Sequence, residues 1–183
     1  MATEIELKAH VRDSETLRRL LNEKAKYLGA FEKDDTYWQL PNGSRLRVRR
    51  EKRQLPDGTE EHAVFATRKA KKVRDGIEVN DEREFKVIPG KPFEEFLRET
   101  GFKPGFSKQK RGWAFSYREI TAELVGITGL GWFIELEILV PDGAARREEA
   151  AAKERERLLD FLAELGINQD AIESRFYSEM LGG

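Results

Sequence analysis

Along much of the chain apolar residues recur at every second position, and in the intervening stretches they recur at every third or fourth. The first period marks strands, whose side chains alternate between two faces, and the second marks helices, whose apolar residues gather in one stripe. Alternation predicts strands near residues 3–11, 35–52, 62–70, 77–88, 105–125 and 132–140. Helical spacing predicts four helices. The first opens at Asp13 or Ser14, either suited to an N-cap, carries Leu17, Leu20, Leu21, Ala25 and Leu28, and stops at Gly29. The second is bounded by Pro92 and Gly101, with Phe93, Phe96 and Leu97 as its stripe. The third begins near Ala144 and carries Leu158, Leu159, Phe161, Leu162 and Leu165 before Gly166, and a short last helix spans Gln169 to Leu181. Asn42-Gly43 and Asp57-Gly58 predict turns that make neighbouring strands antiparallel.

The polar faces of these strands carry a pattern of their own. Glu4, Glu6 and Lys8 share one face of the first strand, with Ile5 and Leu7 on the other. Arg45, Arg47 and Arg49 alternate with Leu46 and Val48, and Glu135 and Glu137 are set among Phe133, Ile134, Leu136 and Ile138. Thr67 and Lys69 share a face, as do Glu82, Glu84 and Lys86, and then Lys108 and Lys110. Amphipathic helices supply cover for the apolar faces, so the charged faces point away from the helices. If the sheet closes, they point into a lumen that must hold water, ions or ligand, because dry charges cost several kcal/mol each. Paired glutamates then suit a hard cation such as Mg²⁺ or Mn²⁺, and rows of lysine and arginine suit a long polyanion. Periodicity alone leaves a second reading open, an open sheet on which Glu and Lys rows pair across neighbouring strands.

Composition narrows the field. The 183 residues suit one domain, 1–183. Lys and Arg number 33 against 34 Asp and Glu, a formal net charge of -1, so no nucleic-acid partner is expected. The basic run Arg68, Lys69, Lys71, Lys72 and Arg74 reads as a solvated loop after a strand, apart from Lys69. With no cysteine, any metal must sit on oxygen or on the two histidines. No window approaches a membrane span, which points to a soluble cytoplasmic protein with no membrane partner; a homodimer is compatible with this reading. His10 continues the inward face of Lys8 and reads as a cap on one tunnel end, while His62 reads as surface. Tyr37, Trp38 and Trp132 read as core or rim packing ahead of ring stacking, and Tyr177 either closes a tunnel end or holds the last helix. Gly126 to Gly131 superficially match a dinucleotide fingerprint, but a strand follows them in place of a helix.

The segment Glu4-Ile5-Glu6-Leu7-Lys8 resembles the Glu-x-Glu-x-Lys signature of the CYTH, or triphosphate tunnel, superfamily, which includes class IV adenylyl cyclases, thiamine triphosphatases and inorganic tripolyphosphatases. The likeness continues in order through Asp35-Thr36-Tyr37-Trp38, Arg45-Leu46-Arg47, Thr67-Arg68-Lys69, Glu82-Arg83-Glu84, Lys108-Gln109-Lys110-Arg111, Gly129-Leu130-Gly131, Glu135-Leu136-Glu137 and the terminal Ser174 to Leu181. It implies an α+β fold, a closed eight-stranded antiparallel β tunnel with a charged lumen flanked by amphipathic helices. It implies that Glu4, Glu6, Glu135 and Glu137 hold Mg²⁺ or Mn²⁺, and that Lys8, Arg45, Arg47, Lys69, Lys108 and Lys110 contact a triphosphate: tripolyphosphate, ATP or thiamine triphosphate. Glu82 and Glu84 serve metal or water positioning and, with Lys8, are the catalytic candidates. Two positions depart from the pattern: Asn80 stands where an arginine is common, and Val125 where an aspartate is common, with Glu123 two residues earlier on the same face. The lost aspartate weighs against a cyclase more than against triphosphate binding. Metal-dependent hydrolysis is the favoured expectation, with the cyclase and a non-catalytic polyphosphate or nucleotide module as alternatives.

Overall fold

The computed structural model describes residues 2–39, 45–74, 77–141 and 147–182, with the side chains of residues 2, 3, 69–74, 77–82, 141 and 147–151 outside that description. In chain order the elements are β1 (Ala2–Val11), α1 (Ser14–Lys24), β2 (Lys26–Gln39), β3 (Arg45–Gln54), β4 (Glu60–Arg74), β5 (Ile77–Lys86), α2 (Gly90–Glu99), β6 (Lys103–Tyr117), β7 (Ile120–Ile127), β8 (Gly131–Pro141), α3 (Arg147–Glu164) and α4 (Tyr177–Met180). All pairings are antiparallel, and the ring runs β1-β5-β4-β3-β2-β6-β7-β8. β1 closes it by pairing with β8 along its whole length, from Ala2 opposite Pro141 to Val11 opposite Trp132.

The apolar faces of the strands point outward, and the main core lies between barrel wall and helices. Ile5, Leu7 and Ala9 of β1, Phe115 of β6, Leu124 of β7 and Ile134 and Leu136 of β8 pack with Leu17 and Leu21 of α1 and Leu158, Phe161 and Leu162 of α3. On another sector α2 lays Leu97 over Trp38 and Val48. Burial of these side chains contributes about 1.5–3 kcal/mol each, which is why the helices fix the outward orientation of every apolar row. With apolar rows outside, the charged rows face the interior. Among the described residues no helix is long and apolar enough to cross a membrane.

The helix boundaries differ from the sequence expectation in two places. α1 starts as expected, with the Asp13 carboxylate accepting from the Thr16 backbone N–H at 3.0 Å, but it ends at Lys24 and β2 begins at Lys26. Gly29 is not a helix stop. It sits at a bulge in the β2–β6 pairing with φ +135°, where a Cβ would stand 2.4 Å from the Gln54 carbonyl oxygen. A helix-terminating glycine and a bulge glycine look alike in sequence, since both need a backbone that side chains forbid. The expected last helix also divides, into a 3₁₀ turn at Gln169–Ala171 and the four-residue α4, because Ile172 forms a β-bridge with Ala9.

Two strand segments likewise resolve into pairs, the first being 35–52, which falls on β2 and β3. The stretch from 105 to 125 is two strands, β6 and β7, joined at Arg118 and Glu119 with Arg118 at φ 54°. The Asp57-Gly58 turn joins β3 to β4, with Gly58 at φ +86°, and the Asn42-Gly43 turn lies outside the described residues, as does the expected start of α3 near Ala144. Gly29→Ala is expected to destabilise the barrel by about 1–3 kcal/mol through the clash with Gln54. Urea unfolding checks this; an unchanged midpoint would mean that the bulge relaxes freely.

Candidate active site

The inward rows enclose a cavity of about 800 Å³ inside the ring. Glu4, Glu6 and Lys8 of β1, Arg45, Arg47 and Arg49 of β3, Glu84 of β5, Lys108 and Lys110 of β6, and Glu135 and Glu137 of β8 all line it. One enclosed space thus gathers every expected site residue except Lys69 and Glu82, whose side chains lie outside the described residues. Lys86, expected on the same inward face as Glu84, is exposed and does not line the cavity.

Much of this interior is already paired. Lys110 donates to both Glu135 oxygens at 2.7 Å, and Lys33 to both Glu123 oxygens at 2.5 and 2.8 Å. Asp35 accepts two bonds from Arg49, at 2.7 and 3.0 Å, and stands 3.5 Å from Lys108, which also donates to the Tyr37 hydroxyl at 3.2 Å. Arg47 reaches Thr67 at 3.0 Å and Glu84 at 3.1 Å. Burial would raise the Asp35 carboxyl, yet Arg49 and Lys108 hold it well below the usual carboxylate range. Glu135 behaves alike: burial opposes its ionisation, and Lys110 keeps it a carboxylate. Buried charges persist only when compensated in this way, and removing one partner of such a pair is strongly destabilising.

One arc departs from this balance. Glu6 lies directly opposite Glu137 in the β1–β8 pairing, with Glu4 two residues away on the same face. Burial, then the charges of Glu4 and Glu6, push the Glu137 carboxyl up to about 9, so it carries a proton at neutral pH. Three carboxylates that cannot all ionise together form an oxygen-only donor set, and that chemistry fits a hard divalent cation. Among the described residues no three acidic side chains already stand in a ready metal-binding arrangement, and Glu135, one of the four expected ligands, is held by Lys110.

The C-terminal segment completes the site. Inward positions of β2, β7 and β8 become apolar at Phe31, Val125, Ile127 and Phe133, and Tyr177 packs among them. The segment is tied down by the Glu173 backbone N–H donating to the Lys8 carbonyl at 2.9 Å and by the Glu173 carboxylate, which accepts from Arg175 at 2.7 Å and lies 3.2 Å from His10. His10, whose ring lies tilted against Phe133 at 4.5 Å, therefore sits at this rim. His62 is exposed, Trp38 belongs to the core under α2, and Trp132 stacks on Trp113 outside the barrel, while Tyr37 lines the cavity.

Sequence reasoning missed Lys33, Asp35 and Glu51 as interior residues. Their signal was present: Phe31, Lys33, Asp35 and Tyr37 alternate inward along β2, and Glu51 continues the row of Arg45, Arg47 and Arg49. Reading Gly29 as a helix stop hid the first half of β2.

The CYTH domain family matches residues 2–177, and the chain belongs to it. Among solved structures, the PH1819 protein from Pyrococcus horikoshii OT3 is 26% identical, with 97% of each chain covered and a TM-score of 0.77. A putative adenylate cyclase from Vibrio parahaemolyticus is 19% identical, with 98% of each chain covered and a TM-score of 0.73. A putative adenylyl cyclase from Hippeastrum, described as having a dominant triphosphatase activity, is 14% identical, with 99% of this chain and 94% of that chain covered and a TM-score of 0.63. The last two are similar in fold. No curated protein matches the sequence significantly.

A pH dependence follows from the tether. Bonds from the Arg175 side chain and backbone N–H, then His10, lower the Glu173 carboxyl from its ordinary 4.5 to about 2. A depressed carboxyl stabilises the fold above its unfolded value and loses that contribution as pH falls toward the folded one. Glu173→Gln is therefore expected to lower the melting temperature at pH 7, with the gap to wild type closing between about pH 4.5 and 2. Thermal melts across that range test it; a gap independent of pH would remove the carboxylate from the account.

Proposed function

We propose that the lumen binds a triphosphate chain and, with Mg²⁺ or Mn²⁺, hydrolyses its terminal phosphoanhydride. The observation that carries this reading is the division of the ring. Glu4, Glu6 and Glu137 crowd on β1 and β8, and Arg45, Arg47 and Arg49 of β3, four strands from β8, face them across the cavity, with Lys108 and Lys110 of β6 on the wall between. An acidic arc opposite a basic arc suits a ligand that is itself a cation held on a polyanion. Membership in the CYTH family, whose members include triphosphatases and cyclases, supports the same reading.

In this reading the arginines fork onto phosphate oxygens and Lys8, Lys108 and Lys110 neutralise charge that develops on the transferred group. Glu4, Glu6 and Glu137, with Glu135 once released from Lys110, would hold the cation. When bound, it supplies Lewis acidity at the phosphoryl oxygens and to water. Glu84, beside Thr67 and Arg47, is placed to orient water or to fix Arg47; Glu82 and Lys69 remain candidates on the neighbouring register position of β5 and β4. Tripolyphosphate, thiamine triphosphate and ATP are the candidate substrates. Hydrolysis is favoured over cyclisation because Val125 lies in the apolar cluster, where the family resemblance leads one to expect an aspartate.

Purified protein should release phosphate from at least one of those three compounds when Mg²⁺ or Mn²⁺ is added. No turnover on any of them would sink the hydrolase reading, and cyclic AMP with pyrophosphate from ATP would replace it with the cyclase. Glu137→Gln and Glu135→Gln should each lower metal-dependent activity by roughly two orders of magnitude or more, because the charge that offsets the cation is lost. Lys8→Ala should act mainly by raising KM. Steady-state kinetics at varied metal and substrate separates the two effects; full activity with lower thermal stability in all three variants would reduce the charged rows to structural pairs.

A further inference from the structure

Among the described residues, Tyr177 is the one aromatic ring in the lumen that several cations share. Its centroid lies 5.5 Å from the Lys8 ammonium, 5.2 Å from that of Lys108 and 5.1 Å from that of Lys110. All three distances fall within the range over which a ring quadrupole attracts a cation. The ring itself is nearly buried, meets Phe133 edge-on at 5.1 Å, and is delivered by a segment fastened to β1 through Glu173 and Ile172. Its hydroxyl is directed toward the Glu135 carboxylate.

Three ammonium groups drawn from two strands repel one another. Glu135 already holds Lys110, and Asp35 stands 3.5 Å from Lys108, but each carboxylate offsets the charge of its own lysine. An aliphatic side chain at position 177 would add no attraction, whereas the aromatic ring meets all three ammonium groups at once and draws them together without itself neutralising any of them. We propose that Tyr177 is a positioning residue of the anion site: its ring holds Lys8, Lys108 and Lys110 convergent in the empty tunnel, so that docking of the C-terminal segment and affinity for a phosphate chain are coupled. This rests on the triphosphate reading above for the identity of the anion.

The coupling runs through the ring more than through the hydroxyl, which separates two substitutions. Tyr177→Phe keeps the ring and should bind tripolyphosphate, without metal, within about threefold of wild type by calorimetry. Tyr177→Leu loses the ring and should weaken binding by about tenfold or more, and in turnover should raise KM with little change in kcat. If the leucine variant does not fold, Tyr177→Met fills a similar space without a π-system and makes the same comparison. A second readout needs neither turnover nor ligand. In ligand-free wild type and in Tyr177→Phe, the side-chain NMR signals of Lys8, Lys108 and Lys110 should be shifted upfield by the ring, and in the variant without the ring the shift should vanish for Lys8 and Lys110 and shrink for Lys108, which also lies 5.7 Å from the Tyr37 ring. Unshifted lysine signals in the wild type, or tripolyphosphate binding unchanged in a folded variant without the ring, would overturn the proposal and leave Tyr177 as a packing residue. Failure of the wild type to bind tripolyphosphate would instead overturn the triphosphate reading, and the lysine shifts alone would then judge the positioning role.

Discussion

The structure depends on one constraint: a ring of strands with charged side chains on its inner face must be held shut from the outside. A small barrel ordinarily fills its interior with apolar side chains and is stabilised by that filling. Here the interior cannot serve as the core, so the outward rows carry it and the helices become obligatory cover. Leu17 and Leu21 of α1 and Leu158, Phe161 and Leu162 of α3 exclude water from the outer faces of β1, β6, β7 and β8, and Leu97 of α2 does so over Trp38 and Val48. The orientation of the chemistry is thus a by-product of where the helices bury their stripes.

Inside the ring, electrostatics replaces packing. Lys33 with Glu123, Lys110 with Glu135, and Asp35 with Arg49 and Lys108 form a network in which each cation has an opposite charge close by. On β1 and β8 the carboxylates Glu4, Glu6 and Glu137 crowd together, and burial with the charges of the other two raises the Glu137 carboxyl. A site balanced everywhere would have little use for a ligand, and a site unbalanced everywhere would not stay shut. The local excess of acid marks the place where a cation adds most.

The fold and most of the site were legible because period-two alternation is a strong signal once it recurs on many strands. Glu4-Ile5-Glu6-Leu7-Lys8 and the Arg45, Arg47 and Arg49 row each read correctly as one charged face, while closure of the ring was implied by the family resemblance, since alternation alone suits an open sheet equally well. Ambiguous punctuation hid the rest. Gly29 reads equally as a helix end and as a bulge, and the choice depends on the approach of Gln54, a contact 25 residues away in sequence. The C-terminal stretch reads as one helix until Ile172 pairs with Ala9, which no local propensity encodes. Lysine–ring contacts at Tyr177 likewise arise only when β1, β6 and the last segment meet.

The opposite-charge pairs of the lumen have an evolutionary consequence. Because the fold-forming residues and the cavity-facing residues occupy opposite faces of the same strands, the inner face is free to change without disturbing the helix-covered core. It is not free to change one residue at a time, since a lone survivor of a buried pair is costly. Lys33 and Glu123, ninety positions apart in sequence yet joined across the β2 and β7 walls, should therefore drift as a unit. Among relatives of this chain, substrate preference would then diversify by exchanges of matched charges, leaving the barrel recognisable long after its inner lining has been rewritten.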